Sequence, residues 1–320
     1  MNATRLTARQ RHRRLVLRCL MLSTLLVSSP ALPADRPLDS ITVEAKKRRE
    51  ELEHQVEQFA QTAVVHHFGE ALMRWDTAVC PLVAGLPREQ GEFVLRRLSL
   101  AAKNAGAPLA PEKCAANFFV LVTSQADRIL KELKEKRPRL FDTKHGVGGL
   151  QHFMATERPV RVWYNSQDEG DAAAGIAIVA TIIGGSSPMG GLTGIPSPSA
   201  AGADWGSYRM PNSRLSYTVT KNINSVIIVI DLPQMNGVNV GQMADYAALV
   251  GLAQINLDRP VDSAPSILRL FSDRGEAPVD GMSPWDQALL KSLYSTRAQS
   301  VTQLSAMETQ MVDTITSVKH

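Results

Sequence analysis

Apolar positions along the chain alternate between the two regular periods, and they predict a mixed set of helices and strands. Leu52, Val56, Phe59 and Ala63 fall at i, i+4, i+7 and i+11, one stripe of an amphipathic helix that follows a charged start. Residues 88–105 repeat the helical spacing, with Phe93, Leu95, Leu98 and Ala102 as the inward set and Gly106-Ala107-Pro108 as the stop. Phe118-Phe119-Val120-Leu121-Val122-Thr123 is a continuous apolar run of strand length, followed by a helix over 124–136 with Ser124 as its cap and Asp127 in its first turn. Pro159 to Asn165 alternates as a further strand, and Ser225-Val226-Ile227-Ile228-Val229-Ile230-Asp231 reads as the most deeply buried one. A turn at Met235-Asn236-Gly237 leads to a helix over 239–253. Ser283, Pro284 and Asp286 form a capping-box variant that opens a helix through Leu289, Leu290, Leu293 and Tyr294. A last amphipathic segment uses Val301, Leu304, Met307, Met311 and Ile315.

Two stretches break this pattern. Residues 1–34 carry six arginines and no acidic residue, then an apolar run over 20–27 and Ser28-Ser29-Pro30-Ala31-Leu32-Pro33-Ala34. Basic head, short apolar middle and small-residue exit are the parts of a secretory signal, with cleavage after Ala31 or Ala34. The apolar middle is well short of the roughly 20 residues a membrane span needs. Arg13-Arg14 within the basic head also resembles a twin-arginine signal. The second break is a twelve-residue apolar run over 172–183, followed by a stretch rich in Gly, Ser and Pro near 184–213 that reads as a long surface loop.

Charge follows from the first break. The whole chain has 35 basic and 31 acidic residues, a net of +4. The segment to residue 34 holds six of the basic and none of the acidic ones, which leaves 29 against 31, a net of −2. That balance gives no basic footprint for nucleic acid. Past the signal, only Cys80 and Cys114 remain, and in an oxidising compartment they are expected to form one disulfide. The expected location is periplasmic or secreted, with no stable membrane span after signal removal.

Ile41-Thr42-Val43-Glu44-Ala45-Lys46-Lys47 resembles the TonB box near the mature N-terminus of TonB-dependent receptors. The resemblance implies a partner contact through Ile41, Thr42 and Val43, made as an added strand on the partner's sheet edge. No receptor barrel pattern follows.

Ala264-Pro265-Ser266-Ile267-Leu268 and Ser283-Pro284-Trp285-Asp286-Gln287-Ala288-Leu289-Leu290-Lys291-Ser292-Leu293-Tyr294 come after a strand and a helix. In that order they resemble the closing third of zincin metalloproteases of the metzincin type. More closely, with Asn117-Phe118-Phe119-Val120-Leu121-Val122 and the strand 225–231, the chain resembles an uncharacterised proteobacterial family of secreted proteins and lipoproteins sharing that zincin-like ending. The resemblance covers about residues 70–300 and implies an α/β fold of the α+β kind. It implies a mixed sheet with packed helices; outside it, the apolar spacing gives an N-terminal segment and amphipathic helix over 35–69 and a C-terminal helix or tail over 301–320.

Zincin chemistry needs two imidazoles at i and i+4 on one metal and an intervening carboxylate as base. In the matching helix Gly241 stands for the first His, Gln242 for the Glu and Asp245 for the second His, and no His occurs from 153 to 319. No metal and no cofactor is therefore expected, and Gln242 and Asp245 read either as a packed polar face or as a retained cleft. His145 and His152 flank Gly148-Gly149 and could share a helical face; His54, His66, His67 and His320 read as surface groups. The competing class is a hydrolase working through carboxylates such as Asp245, Asp231 or Glu169. The expected activity is an exported, non-catalytic binding or scaffolding domain, with an envelope protein or a peptide as partner.

Overall fold

The computed structural model describes residues 38–67, 71–141, 146–166, 222–272, 279–296 and 302–318. The apolar run 172–183, the Gly/Ser/Pro-rich stretch, Glu169, His145, Val301 and His320 lie outside the described residues, as do residues 1–34. The chain divides into two units, Met1–Arg48 and Arg49–His320. The second holds the sheet and both of its cores.

Helix α1 (Leu38–Ala63) crosses that boundary, and its stripe of Val56, Phe59, Ala60 and Ala63 is fully buried. Then come β1 (Pro81–Ala84), α2 (Arg88–Ala105), β2 (Phe118–Thr123), α3 (Ala126–Lys136), α4 (Gly146–Ala155) and β3 (Val160–Ser166). The chain continues with β4 (Ile223–Asp231), α5 (Val240–Leu252), α6 (Pro284–Ser295) and α7 (Gln303–Val318). The sheet order is β1-β2-β4-β3, with β1, β2 and β4 parallel and β3 antiparallel to β4 at one end.

Both faces of this sheet are covered, which is why its central strands are apolar without a break. Val120, Val122, Val226, Ile228 and Ile230 point into a core shared with α1, α2, α5, α6 and α7. Their neighbours Phe119, Leu121, Ile227 and Val229 point the other way, onto α3 and α4. Period-2 alternation thus sorts one apolar run into two layers. Among the described residues no helix is long and apolar enough to cross a membrane.

Cys80 and Cys114 form the expected disulfide, with their Cα atoms 6.0 Å apart. It ties the chain just before β1 to the chain just before β2, so both parallel strands start from one anchored end. Asn117 reinforces the same junction by accepting from the Cys80 amide at 2.8 Å.

Two local expectations are corrected. Ser124 does not cap α3; Gln125 occupies that position, and its amide donates to Thr123 Oγ1 at 3.0 Å. The strand runs to Thr123, and two residues are consumed in turning. On α2, Val94 rather than Phe93 faces the core: Val94 is fully buried and Phe93 is 36% exposed, beneath the Arg97 guanidinium at 5.8 Å. One residue is a rotation of about 100°, so Val94, Leu98, Ala102 and Ala105 make the tighter stripe. Ile41, Thr42 and Val43 are helical in α1. The Glu, Lys and Arg residues that follow are good helix formers, and Glu44 and Arg48 pair at i, i+4.

Candidate functional site

Helix α5 carries Gly241, Gln242 and Asp245, the positions that the sequence resemblance sets against the zincin His-Glu-x-x-His. Its start is fixed by a complete capping box. Asn239 Oδ1 accepts from the Gln242 amide at 2.9 Å, and Gln242 Oε1 accepts from the Asn239 amide at 2.9 Å. Gln242 then donates Nε2 to the Val279 carbonyl at 2.7 Å. Both ends of its amide are used within the fold.

Asp245 is equally committed. Arg97 of α2 donates Nε and Nη2 to its two carboxylate oxygens, each at 2.6 Å, and the Met282 amide donates to Oδ2 at 2.8 Å. The carboxylate in turn raises the Arg97 guanidinium further above its ordinary value. Gly281 passes so close that a Cβ there would sit 2.6 Å from Asp245 Oδ2. Gln242 and Asp245 are both buried beneath the 279–282 segment, and Gly241 lies against the Arg97 side chain. The open cleft considered for this face is filled by α2 and the 279–282 segment.

The two sequence segments that carry the zincin resemblance meet at one side chain. Asp286, fully buried, accepts from the Ser266 hydroxyl, from the Ile267 amide at 2.9 Å and from the Ser283 amide at 2.8 Å. Burial pushes its carboxyl above the ordinary range, and those donors pull the other way. Asp286 is a clasp between the 264–268 turn and α6, with no solvent path for chemistry.

Concavity lies elsewhere, along β3. One cavity of about 210 Å³ sits between α4, β3 and the 254–258 segment that leaves α5. A second of about 600 Å³ adjoins it, running over 156–160, 256–262 and 268–272. Tyr164 holds the inner wall in place: its hydroxyl donates to the Val250 carbonyl and accepts from the Ile255 amide at 3.2 Å. Tyr246 reaches the larger cavity from α5 and packs edge-on against Phe271 at 5.0 Å. Burial pushes both phenols far above their ordinary value, so neither exchanges a proton near neutral pH.

Charged groups gather where the two cavities join. Arg158 pairs with Asp258, which also stands 3.6 Å from His152 Nε2. The Arg158 hydrogen bond holds the Asp258 carboxyl below the ordinary range. Thr156, His152 and Asp258 do not form a nucleophilic relay. Thr156 Oγ1 and Asp258 both approach the same ring nitrogen, Nε2, whereas a relay needs the acid on the opposite one. The Thr156 hydroxyl donates instead to the His152 carbonyl at 2.7 Å.

The remaining candidates are scattered. Asp231 ends β4 and accepts from Gln234 at 2.7 Å. His54 and His67 are exposed on and just after α1, and His66 approaches the Val64 carbonyl at 3.1 Å. An added strand at Ile41–Val43 requires the start of α1 to unwind. Among the described residues no group of three or more His, Cys, Asp or Glu is placed to hold a metal ion.

Sequence reasoning passed over Arg97, Arg158, Arg161, Tyr164 and Asp258. One signal was present: in the strand read as alternating, Arg161 falls on the face opposite Val160 and Val162 and shares it with Trp163; the structure buries it, and arginine is seldom fully buried without a partner. No family model, no curated protein and no solved structure matches this chain, so the geometry of the site is what bears on its activity.

Proposed function

We propose that the chain is an exported cell-envelope protein whose domain is zincin-like in outline and binds a peptide in the groove beside β3 without cutting it. The observation that carries this reading is the division of labour around α5. Gln242, set against the zincin base, and Asp245, set against its second metal ligand, are spent on packing, while the adjoining cavities of about 210 and 600 Å³ lie on another side, against β3 and the segment after α5. Concave sites with a few convergent polar groups in apolar walls are the usual form of a binding pocket.

Support for the zincin outline comes from architecture: an antiparallel strand ends a parallel sheet, a helix follows the adjacent strand, and Asp286 clasps the two segments that carry the resemblance. Support for export comes from the basic, apolar and small-residue succession over 1–34, together with a disulfide, a bond that persists in oxidising compartments.

The test uses the purified oxidised protein and an equimolar pool of N-acetylated hexapeptides. Amide hydrogen exchange is expected to slow over 160–164 and 254–258, with every peptide recovered intact by mass spectrometry. Fragmented peptides, or protection confined to other segments, would overturn the reading.

A further inference from the structure

Arg161 is the least expected residue of the groove. Its side chain is 3% exposed, in a strand whose neighbours are apolar, and it lines the smaller cavity. Nη2 donates to Asp127 at 2.6 Å and Nη1 to the Met154 carbonyl at 3.3 Å, while Nε is buried with no hydrogen-bond partner among the described residues. A buried guanidinium is stable when its nitrogens all find acceptors, and here Nε has none among the described residues. Its carboxylate partner among the described residues, Asp127, is 75% exposed and so is screened by water.

The second arginine of the same cavity is also held loosely. The Arg158 side chain is 23% exposed, but Asp258, its partner, is 61% exposed and contacts His152 as well. An incoming anion can take the place of Asp258 without leaving a buried charge behind. Arg158, Arg161 and His152 line this space with one carboxylate, Asp258, while Asp127 pairs with Arg161 from outside the lining, so displacing Asp258 leaves the Arg158 guanidinium for an incoming anion. The walls beside them are apolar: Phe153, Trp163, Ile255 and Leu257. A volume of about 210 Å³ is below the roughly 300–1,000 Å³ of sites for larger ligands. It suits one side chain and its carboxylate.

We propose that the smaller cavity is a carboxylate subsite, in which Arg158 and Arg161 hold the anionic end of an apolar residue packed against Trp163. This rests on the groove being the binding site and names what it takes. The ligand is an apolar amino acid with a free carboxyl group, supplied as a free acid or as a peptide C-terminus.

Four probes separate these cases: N-acetylphenylalanine, its primary amide, and an N-acetylated hexapeptide ending in phenylalanine as acid and as amide. Calorimetry is read together with the ¹H–¹⁵N shift of the Trp163 indole. At least one acid is expected to bind about tenfold or more tighter than its amide, the scale of a hydrogen bond to a charged group. Binding of both acids assigns the carboxylate alone; binding of the hexapeptide acid alone assigns a peptide C-terminus. R158Q should bring acid and amide together. D258N, which removes the competing carboxylate, should tighten the acids several-fold and leave the amides unchanged, an effect a merely structural salt bridge would not produce. R161K, with its fold checked by circular dichroism, should weaken the acids. Equal binding of acid and amide in the groove would overturn the carboxylate subsite and leave the groove reading standing. Failure of all four probes to move the Trp163 signal would overturn the subsite; the groove reading falls separately, on the hexapeptide-pool exchange.

Discussion

Replacing Asp245 with alanine separates a structural α5 from a vestigial catalytic one. The Asp245 side chain is 8% exposed and receives three hydrogen bonds, two from Arg97 and one from the Met282 amide. Breaking a fully buried ion pair from one side costs roughly 3–5 kcal/mol, because the other charge is stranded. Arg97 is 40% exposed and can turn to water, so much of that penalty is screened. The Met282 amide loses its acceptor, which adds about 1 kcal/mol. D245A should therefore lose about 2–3 kcal/mol of unfolding free energy, read from the shift in urea midpoint at unchanged slope. A double-mutant cycle with R97M should return a coupling of about 1 kcal/mol or more, since the two residues share their bonds. The reasoning is refuted if D245A stays within about 0.5 kcal/mol of the parent, the range of an ordinary surface substitution.

Three more outcomes follow from the same geometry. G251A should destabilise by about 1–3 kcal/mol in urea unfolding, because a Cβ at Gly251 would sit 2.0 Å from the Phe118 ring, which stacks on Trp75; wild-type stability would refute that packing. Replacing Cys80 and Cys114 together by serine should cost roughly 4 kcal/mol by loop closure over their separation of 34 residues, and reductant should then leave the variant's denaturation midpoint unchanged while lowering the parent's. Asp258 is held below its ordinary range chiefly by the Arg158 hydrogen bond, so the stability it contributes is present above about pH 4 and is lost as pH falls through the folded value. A carboxyl NMR titration should show that low midpoint, and R158Q should restore the ordinary one.

Strands and helices were legible because their period was strong. The run Ser225 to Ile230 can be buried on both faces only in a covered sheet, and residues 88–105 have the length and spacing of a helix. The capping box at Ser283 and Asp286 was legible too, since it is a contact between near neighbours. What was hidden lies far apart in sequence. Nothing local ties Arg97 to Asp245 across 148 residues, or Arg158 to Asp258 across 100. Asp286 illustrates both cases: its cap was visible, whereas its bond to Ser266 depends on how a distant turn docks. The groove is the least local feature of all, being the space left between α4, β3 and the chain after α5.

The most direct test of the proposal that a zincin-like frame binds without cutting is to assay the purified oxidised protein for zinc and for turnover of casein, with and without chelator. The account predicts substoichiometric zinc and no cleavage that chelator abolishes, because Gln242 and Asp245 are bound into the fold. One zinc per chain with chelator-sensitive cleavage would contradict it.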